Sequence, residues 1–289
     1  MYTYAWYHWL TFFYIYCFCG WVFESTYVSL KQHHFVNRGF LNGPVCPIYG
    51  FGVVGVALAL RPVMDSLPLL FLGSVVITSL IEFVTGFVLE KVFHAKWWDY
   101  SGMPLNIMGY VCLLFSLIWG AACLGIVEWV HPLIQGLVDH LPNALVIVLD
   151  SVFVLLLIID LAATLAAIRK LSDRLEKLSE IAAEIHRMSD GIGSGIADKT
   201  LSAKERLDDI GAGLADKTQA AREHIDELRE SSAQTRERKL DELRARFDAL
   251  TARQQFGHRR LLEAFPNLKS ARHGEAMEHL REKLQRIKK

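Results

Sequence analysis

Apolar residues are concentrated in long runs up to about residue 168, and charged residues recur throughout the chain after that point. A helix needs about 20 mostly apolar residues to cross the hydrocarbon core of a bilayer. The runs that approach or reach this length are residues 9–30, 44–60, 69–89, 108–130 and 144–168. The pattern predicts an all-α protein, with a polytopic transmembrane bundle of about five spans in residues 1–168 and a helical cytoplasmic tail over 169–289.

The tail has its own periodicity, with apolar residues alternating four and three positions apart, as in a coiled-coil seam. They are Leu171, Leu175, Leu178, Ala182 and Ile185, then Leu240, Leu243, Phe247 and Leu250, and finally Met277, Leu280, Leu284 and Ile287. We expect a coiled-coil-like stalk that assembles into a homo-oligomer. An amphipathic helix on the membrane surface is the alternative. Residues 254–270, which include Pro266, are predicted to be a turn between helices.

Basic residues in the short loops predict the orientation, because such loops stay on the cytoplasmic side. The loop after the first span carries Lys31 and Arg38, and the loop after the third carries Lys91 and Lys96. The opposite side has only Arg61. We therefore expect a protein of the bacterial inner (cytoplasmic) membrane, with the N-terminus outside, the tail in the cytoplasm, and membrane lipids as its surroundings.

Composition and motifs argue against nucleic acid binding, a disulfide framework and ATP hydrolysis by this chain. The chain has 31 Lys and Arg residues and 31 Asp and Glu residues, so its net charge of zero gives no indication of nucleic acid binding. Its five cysteines have no regular spacing, which argues against a disulfide framework. No metal or cofactor is expected. The chain also lacks a Gly-x-x-x-x-Gly-Lys-Ser/Thr phosphate loop, so ATP-driven activity would require a separate ATPase subunit.

The first two predicted hairpins resemble each other. Each has a carboxylate in the inner half of its first span, Glu24 in one and Glu82 in the other, followed by a basic loop. The next span then opens with Gly-x-Val-Cys, at residues 43–46 and 109–112, and an aromatic residue follows three positions later. The pattern indicates an internal repeat, and transporters often place their binding sites at a repeat interface.

Acidic residues inside the predicted spans are the first candidates for a functional site. An ionised side chain at the membrane centre costs roughly 2.5 to 3.5 kcal/mol on insertion scales, so it usually has a partner or a role. We expect Glu24, Glu82 and Asp160 to line a proton- or cation-binding site, whereas Glu128 and Asp150 lie further out. The alternative is that each carboxyl is protonated or paired and only stabilises the bundle.

Two loops carry the most distinctive motifs. Residues 37–50 read N-R-G-F-L-N-G-P-V-C-P-I-Y-G, residues 94–101 read H-A-K-W-W-D-Y-S, and residues 106–116 read N-I-M-G-Y-V-C-L-L-F-S. These stretches resemble the CmpB-like family of type IV ABC-transporter permeases, over about residues 9–134. The resemblance implies substrate passage with an ATPase partner. Tyr110 departs from the family, in which a basic residue after the glycine is common.

Polar loop residues complete the candidate substrate- or ion-binding set: Arg38, Asn42, Trp97, Asp99 and Asn106. They would lie beside the glutamates and could form a gate, a headgroup-binding rim or a docking surface. The alternative is that Trp97 and Trp98 anchor at the membrane interface while Asp99 and Asn106 cap helices.

Transport is the leading function, as a membrane permease component with an intramembrane acidic site. The first rival is a membrane enzyme that acts on lipid headgroups through Glu24, Glu82, His94 or Asp99. The second is a scaffold organised by the tail. The sequence has no compact nucleophile–base motif, so an enzyme is the less favoured interpretation.

Overall fold

The structure, a computed structural model, describes residues 5–209, 215–252, 256–270 and 272–287. Nearly all regular elements are helices, which confirms the predicted all-α class. The chain divides into two compact units: residues 1–172 with 255–274, and residues 173–254 with 275–289. The division predicted from sequence at residues 168 and 169 did not anticipate that residues 255–274 belong to the N-terminal unit.

Two helical hairpins begin the N-terminal unit. Their helices are α1 (Trp6–Gln32), α2 (Pro47–Ala59), α3 (Leu67–Phe93) and α4 (Leu113–Gly125). A 3-10 turn, Arg61–Val63, joins the hairpins, and a π-helical turn, Ile126–Val130, leads from α4 into α5 (His131–Asp139). The remaining helices are α6 (Asn143–Asp209), α7 (Ala215–Ala252), α8 (Phe256–Ala264) and α9 (Gly274–Ile287).

Short antiparallel strands occur in the loops. β1 (Ala95–Lys96) pairs with β4 (Lys269–Ser270), with Ala95 opposite Ser270. β2 (Asn106–Ile107) pairs with β3 (Val111–Cys112). The turn predicted over residues 254–270 therefore contains a helix and a strand, and Pro266 follows the end of that helix.

The helices of the two hairpins have matching lengths. α1 and α3 have 27 residues each, and both end at a histidine in the left-handed conformation, His33 (φ 57°) and His94 (φ 51°). That conformation commonly terminates helices. α2 and α4 have only 13 residues each, about 20 Å at 1.5 Å per residue.

The short helices change the predicted spans. The predicted span 44–60 begins as coil, and the predicted span 108–130 becomes helical only at Leu113. Among the residues that the structure describes, three helical stretches are long and apolar enough to cross a membrane by length and composition: Leu67–Phe93, Leu113–Asp139 and Asn143–Ser189. The total of five spans therefore stays a prediction.

The apolar core lies toward the end of the hairpins opposite the two loops. Phe12 and Tyr16 of α1 pack with Val56 of α2 and Leu70 of α3, joined by Val53, Ala57, Cys123, Val127, Ile134 and Val138. The outer faces are also apolar: Val76 on α3 and Ile158 on α6 are 66% and 59% exposed. Large apolar faces of this kind are unfavourable in water and are typical of helices surrounded by lipid.

The second unit buries its seam within one chain. Arg174 of α6 donates to the Leu250 carbonyl of α7 (2.5 Å), and Glu184 of α6 pairs with Lys239 (3.4 Å), so the two helices run antiparallel. The buried seam residues are Leu175, Leu178, Leu240, Leu243, Met277 and Leu280. The side chains of Leu284 and Ile287 lie outside the described part. A second copy is not needed to bury this seam, and the homo-oligomer stays a prediction.

Close packing of α3 on α4 generates the first test. A Cβ added at Gly120 would overlap Val75 of α3, whereas nothing lies within 4 Å of a Cβ added at Gly52. Overpacking typically costs about 1–3 kcal/mol, so Gly120→Ala should lower the melting temperature of the detergent-purified protein, followed by tryptophan fluorescence. Gly52→Ala is the matched control and should melt at or above the unmodified protein. Equal melting temperatures for both variants would contradict this packing.

Candidate functional site

The chain turns back along α1 before α2 begins. Backbone N–H groups of this first loop, residues 34–46, donate to α1: Val36 to Ser29 Oγ (2.9 Å), Arg38 to Ser25 Oγ (3.2 Å) and Cys46 to the Cys17 carbonyl (2.9 Å). Non-helical backbone in an apolar interior requires such partners. The two serines lie four positions apart on one helix face, which is the sequence signal for this return. α2 consequently begins beside the middle of α1.

Asn37 closes the middle of the first loop. Its Oδ1 accepts hydrogen bonds from Trp21 Nε1 (2.7 Å) and from the Gly39 N–H (3.1 Å), and its Nδ2 donates to the Asn42 carbonyl (2.7 Å). One side chain thereby fixes both ends of a turn. Asn37 was not among the candidate residues, because its role depends on contacts that only the folded loop creates.

Asp160 of α6 anchors the same loop. Its Oδ1 accepts from the N–H and the side-chain amide of Asn42 (3.0 and 2.8 Å), and its Oδ2 accepts from the Gly43 N–H (2.7 Å). Asn42 also donates to Thr164 Oγ1 (2.9 Å). The structure therefore brings the candidates Asp160 and Asn42 together as a structural pair, and their side chains bond to each other, to the Gly43 N–H and to Thr164.

Glu24 has a hydroxyl and a cation as neighbours. Its Oε1 accepts a hydrogen bond from the Tyr49 hydroxyl (2.5 Å), and Arg38 Nε lies 3.7 Å from its Oε2. Tyr49 is the third residue of α2, and its ring lies against Gly20, where any Cβ would overlap it. The Glu24 carboxyl therefore lies beside the amino end of α2, which carries partial positive charge.

Glu82 is more deeply buried, with 8% of its surface exposed. Its Oε1 accepts a hydrogen bond from the Tyr100 hydroxyl (3.1 Å), and its Oε2 has no hydrogen-bond partner in the described part of the chain. The Tyr100 ring stacks on Phe115, with centroids 5.0 Å apart. Phe115 is the third residue of α4, the position that Tyr49 has in α2. In this hairpin the hydroxyl therefore comes from the loop.

Tyr100 is close to both glutamates. Burial is the main cause that raises the pKa of Tyr100, and the negative charges of Glu82 and Glu24 raise it further. Charges influence a buried group in this way only over short distances. The two carboxyls, which come from separate hairpins, thus have one tyrosine as a common neighbour.

Asp99 and Asn106 shape the second loop, residues 94–112. Asp99 Oδ1 accepts from the Ser101 N–H (3.1 Å) and hydroxyl (2.5 Å), and Asn106 Oδ1 accepts from the Gly109 N–H (3.1 Å). Gly109 has φ 76°, and a Cβ there would lie 2.9 Å from Asp99 Oδ1. α4 begins without a side-chain cap. The helix-capping alternative is therefore wrong for both residues, which stabilise turns.

Trp97 connects the two loops and is only 5% exposed. Its ring contacts Phe40 of the first loop (centroids 5.0 Å apart), Phe93 at the end of α3 (6.3 Å) and Phe265 after α8 (4.7 Å). A side chain enclosed by other aromatic rings does not lie at a lipid–water interface. The anchoring alternative is therefore wrong for Trp97, which instead packs the loops together.

Asp99 forms a salt bridge outside its own loop, with Lys269 Nζ 2.9 Å from Oδ2. Hydrogen bonds from Ser101 and Lys269 hold the pKa of Asp99 well below its ordinary value. An ionised, paired carboxylate is a poor proton acceptor at neutral pH. This weakens the case for Asp99 as a catalytic base.

A second polar cluster lies near the start of α1, away from the glutamates. The buried Asp150 accepts hydrogen bonds from the Thr11 hydroxyl (3.1 and 3.0 Å), and the Tyr16 hydroxyl lies 2.7 Å from His131 Nδ1. Residues 126–130, which include Glu128, form the π-helical turn. Throughout the described ranges, no group of three or more His, Cys, Asp or Glu residues could hold a metal ion.

Anchoring of the first loop generates the second test. Asp160→Asn places an amide where two backbone N–H donors point, and a hydrogen bond to a charged group contributes about 1.5–3 kcal/mol. Amide hydrogen exchange in residues 37–43 should become faster. Asp150→Asn is the matched control on α6, because Asp150 binds Thr11 instead, and it should leave this exchange unchanged. Unaltered exchange in Asp160→Asn would mean that the carboxylate does not hold the loop.

The comparisons with known proteins agree with the loop motifs. A family model described as "Putative ABC-transporter type IV" matches residues 11–165. No curated protein and no solved structure matched the chain. The matched region contains both loops, Glu24, Glu82 and Asp160, and it covers more than half of the 289 residues. Because the match extends over helices that can cross a bilayer, the chain belongs to this ABC-transporter type IV family of membrane proteins.

Proposed function

We propose that the chain is the membrane component of a transport system in which Glu24 and Glu82 form one proton- or cation-binding site. The observation on which the proposal rests is that each carboxyl accepts a hydrogen bond from a tyrosine hydroxyl, Glu24 from Tyr49 and Glu82 from Tyr100, near the first turns of α2 and α4. Buried carboxyls in a membrane protein rarely persist without a role or a partner.

The correspondence between the two hairpins supports the predicted internal repeat and, with it, a transporter architecture. A shift of 66 residues carries the start of α2 at Pro47 onto the start of α4 at Leu113, and a cysteine precedes each helix. The same shift places Gly20, which lies against Tyr49, onto Gly86, which lies against Tyr110.

In this register Glu24 corresponds to Glu90, which lies 3.9 Å from Lys96 much as Glu24 lies 3.7 Å from Arg38. Each hairpin then has its own salt bridge between a glutamate and a basic residue. Glu82, which the sequence paired with Glu24, corresponds in this register to Tyr16, so the proposed site is asymmetric.

The free oxygen of Glu82 is the proposed binding point. Burial of an unpaired charge is costly, so a carboxyl with one unbonded oxygen favours uptake of a proton or close approach of a cation. The half-helices α2 and α4 direct their amino ends toward this region, as interrupted helices do in transporters that bind substrates at mid-membrane. A substrate with an anionic group would fit beside those positive ends.

A separate ATPase subunit is the proposed energy source, since the family contains ABC transporters and the sequence has no phosphate loop of its own. With the predicted orientation, both loops face the cytoplasm, where such a subunit would dock. The lipid-headgroup enzyme is the less favoured rival because Asp99 is fixed in a turn and paired with Lys269.

Proton binding by Glu82 can be tested directly. Glu82→Gln should remove a pH-dependent carboxyl band from the infrared difference spectrum of the purified protein, because an amide cannot take up the proton. Tyr100→Phe should shift that band, since it removes the hydroxyl but keeps the ring on Phe115. Glu128→Gln, in the π-helical turn, is the control and should leave the band unchanged.

Transport is tested by proton uptake into proteoliposomes, reported by a trapped pH-sensitive dye. Uptake should fall at least about tenfold in Glu24→Gln and Glu82→Gln, equivalent to a barrier about 1.4 kcal/mol higher. Unchanged uptake in both variants would refute the acidic site. Lipid changes in a deletion strain that only intact carboxyls restore would favour the enzyme, and activity lost only on removal of the tail would favour the scaffold.

A further inference from the structure

Three consecutive backbone carbonyls of the first loop converge on one guanidinium group. Arg260 of α8 donates from Nη1 to the Gly39 carbonyl (2.7 Å) and the Leu41 carbonyl (2.9 Å), and from Nη2 to the Phe40 carbonyl (3.0 Å). These three oxygens are called the carbonyl cradle. Arg260 and the loop belong to the same compact unit. The cradle is thus a receptor for a planar cation with several forked donors.

The cradle follows from the way the loop is anchored. The Asn37 side chain accepts a hydrogen bond from the Gly39 N–H, and the Asp160 carboxylate accepts from the N–H groups of Asn42 and Gly43. The Asn42 N–H and the Leu41 carbonyl belong to one trans peptide and point in opposite directions, so the bond to Asp160 turns the Leu41 carbonyl away from Asp160 and toward Arg260. Carbonyl dipoles that point at one place create negative potential, and the nearby Asp160 carboxylate adds to it.

Arg260 is bound there without a direct counter-ion. It is 9% exposed, and none of the ion pairs in the described part of the chain includes it. Burial lowers the pKa of Arg260, and only the charge of Asp160 opposes that effect. Desolvation of an unpaired cation is expensive, so much of the gain from the three hydrogen bonds is offset. Because the net gain is small, another guanidinium group can displace Arg260 from the cradle.

Other contacts attach the docking segment, residues 256–270, to both loops. Phe265 lies against Trp97, and the Arg38 guanidinium lies 4.8 Å from the Phe265 ring centroid. Lys269 pairs with Asp99 of the second loop. Arg38 also donates to the Ala264 carbonyl while its Nε faces Glu24. The docking segment therefore touches the arginine that touches Glu24.

The family match distinguishes the cradle from its occupant. Gly39, Phe40 and Leu41 lie within the matched residues 11–165, whereas Arg260 lies outside them. The binding site thus belongs to the family segment, and the ligand is supplied by a different part of this chain. Because Arg260 comes from outside the family segment, we treat it as a ligand of the cradle and not as a part of it.

We propose that the carbonyl cradle is a binding site for a guanidinium group and that the docking segment is its tethered occupant, a removable cap over the two loops. Tethering makes binding intramolecular and so raises the effective concentration of Arg260 at the cradle. When the cap leaves, Arg38 loses its contacts with Ala264 and Phe265, and the surroundings of Glu24 change. The cradle stands independently of transport; only this effect on Glu24 rests on the proposed function.

Chemical rescue tests the binding site on the full-length protein. Arg260→Ala should lower the melting temperature by at least about 3 °C, and methylguanidinium at low millimolar concentration should restore at least half of that loss. Methylammonium, which has the same charge without the planar fork, should restore none. Arg259→Ala is the matched neighbour, since Arg259 is exposed and pairs with Glu263 of the same helix (2.9 Å). It should neither lower the melting temperature nor respond to methylguanidinium.

Hydrogen exchange separates filling of the cradle from attachment of the cap. In Arg260→Ala, exchange should accelerate at least tenfold both in residues 37–43 and in residues 256–270. Methylguanidinium should restore protection to residues 37–43 alone, because it fills the cradle without binding the cap. Arg260→Lys keeps the charge but loses the fork, so it should show intermediate protection and provides a second variant if Arg260→Ala does not fold.

Three results would overturn the binding site: no rescue of Arg260→Ala by methylguanidinium, equal rescue of it by methylammonium, or an equal rise in the melting temperature of Arg259→Ala on addition of methylguanidinium. Restored protection of residues 256–270 by methylguanidinium would overturn the cap, since the small ion cannot bind that segment. Proton uptake then decides the link to Glu24. It should rise in Arg260→Ala and stay abolished in Arg260→Ala with Glu82→Gln, whereas rescue without any change in uptake would refute the link while leaving the acidic site to its own test.

Discussion

Non-helical backbone that runs beside an apolar helix must have every polar group bonded, and the N-terminal unit is built around this constraint. The first loop meets it with hydroxyls from Ser25 and Ser29, with the side chain of Asn37, and with the carboxylate of Asp160. Because these bonds hold the loop along α1, α2 starts halfway along its neighbour. This late start makes α2 short and places Tyr49, in its first turn, beside α1.

The two glutamates illustrate how similar residues acquire different environments. Glu24 lies beside a hydroxyl, a helix amino end and Arg38, so its charge is compensated. Glu82 has one tyrosine hydroxyl and an oxygen without a described partner. The hydroxyl beside Glu24 comes from Tyr49 of α2, whereas the hydroxyl beside Glu82 comes from Tyr100 of the second loop.

Arginine chemistry links the loops to the docking segment. Arg38 and Arg260 both use planar, forked donors, which suit carbonyl groups and aromatic faces better than the point charge of lysine does. Arg260 binds the backbone of residues 39–41, and Arg38 lies between Glu24 and Phe265. Arg38 therefore connects Glu24 with the docking segment, which lies more than two hundred positions further along the chain.

The sequence by itself determined the all-α class, the apolar character of the helices and the family, because hydrophobic runs and local motifs are properties of neighbouring residues. It also singled out Glu24, Glu82, Asp160 and the loop residues as unusual. It did not reveal that Asp160 serves as an anchor, that Trp97 is enclosed, or that Arg260 of the tail binds the first loop. Those roles depend on contacts between residues far apart in sequence, and only the tertiary structure decides which buried polar groups satisfy one another.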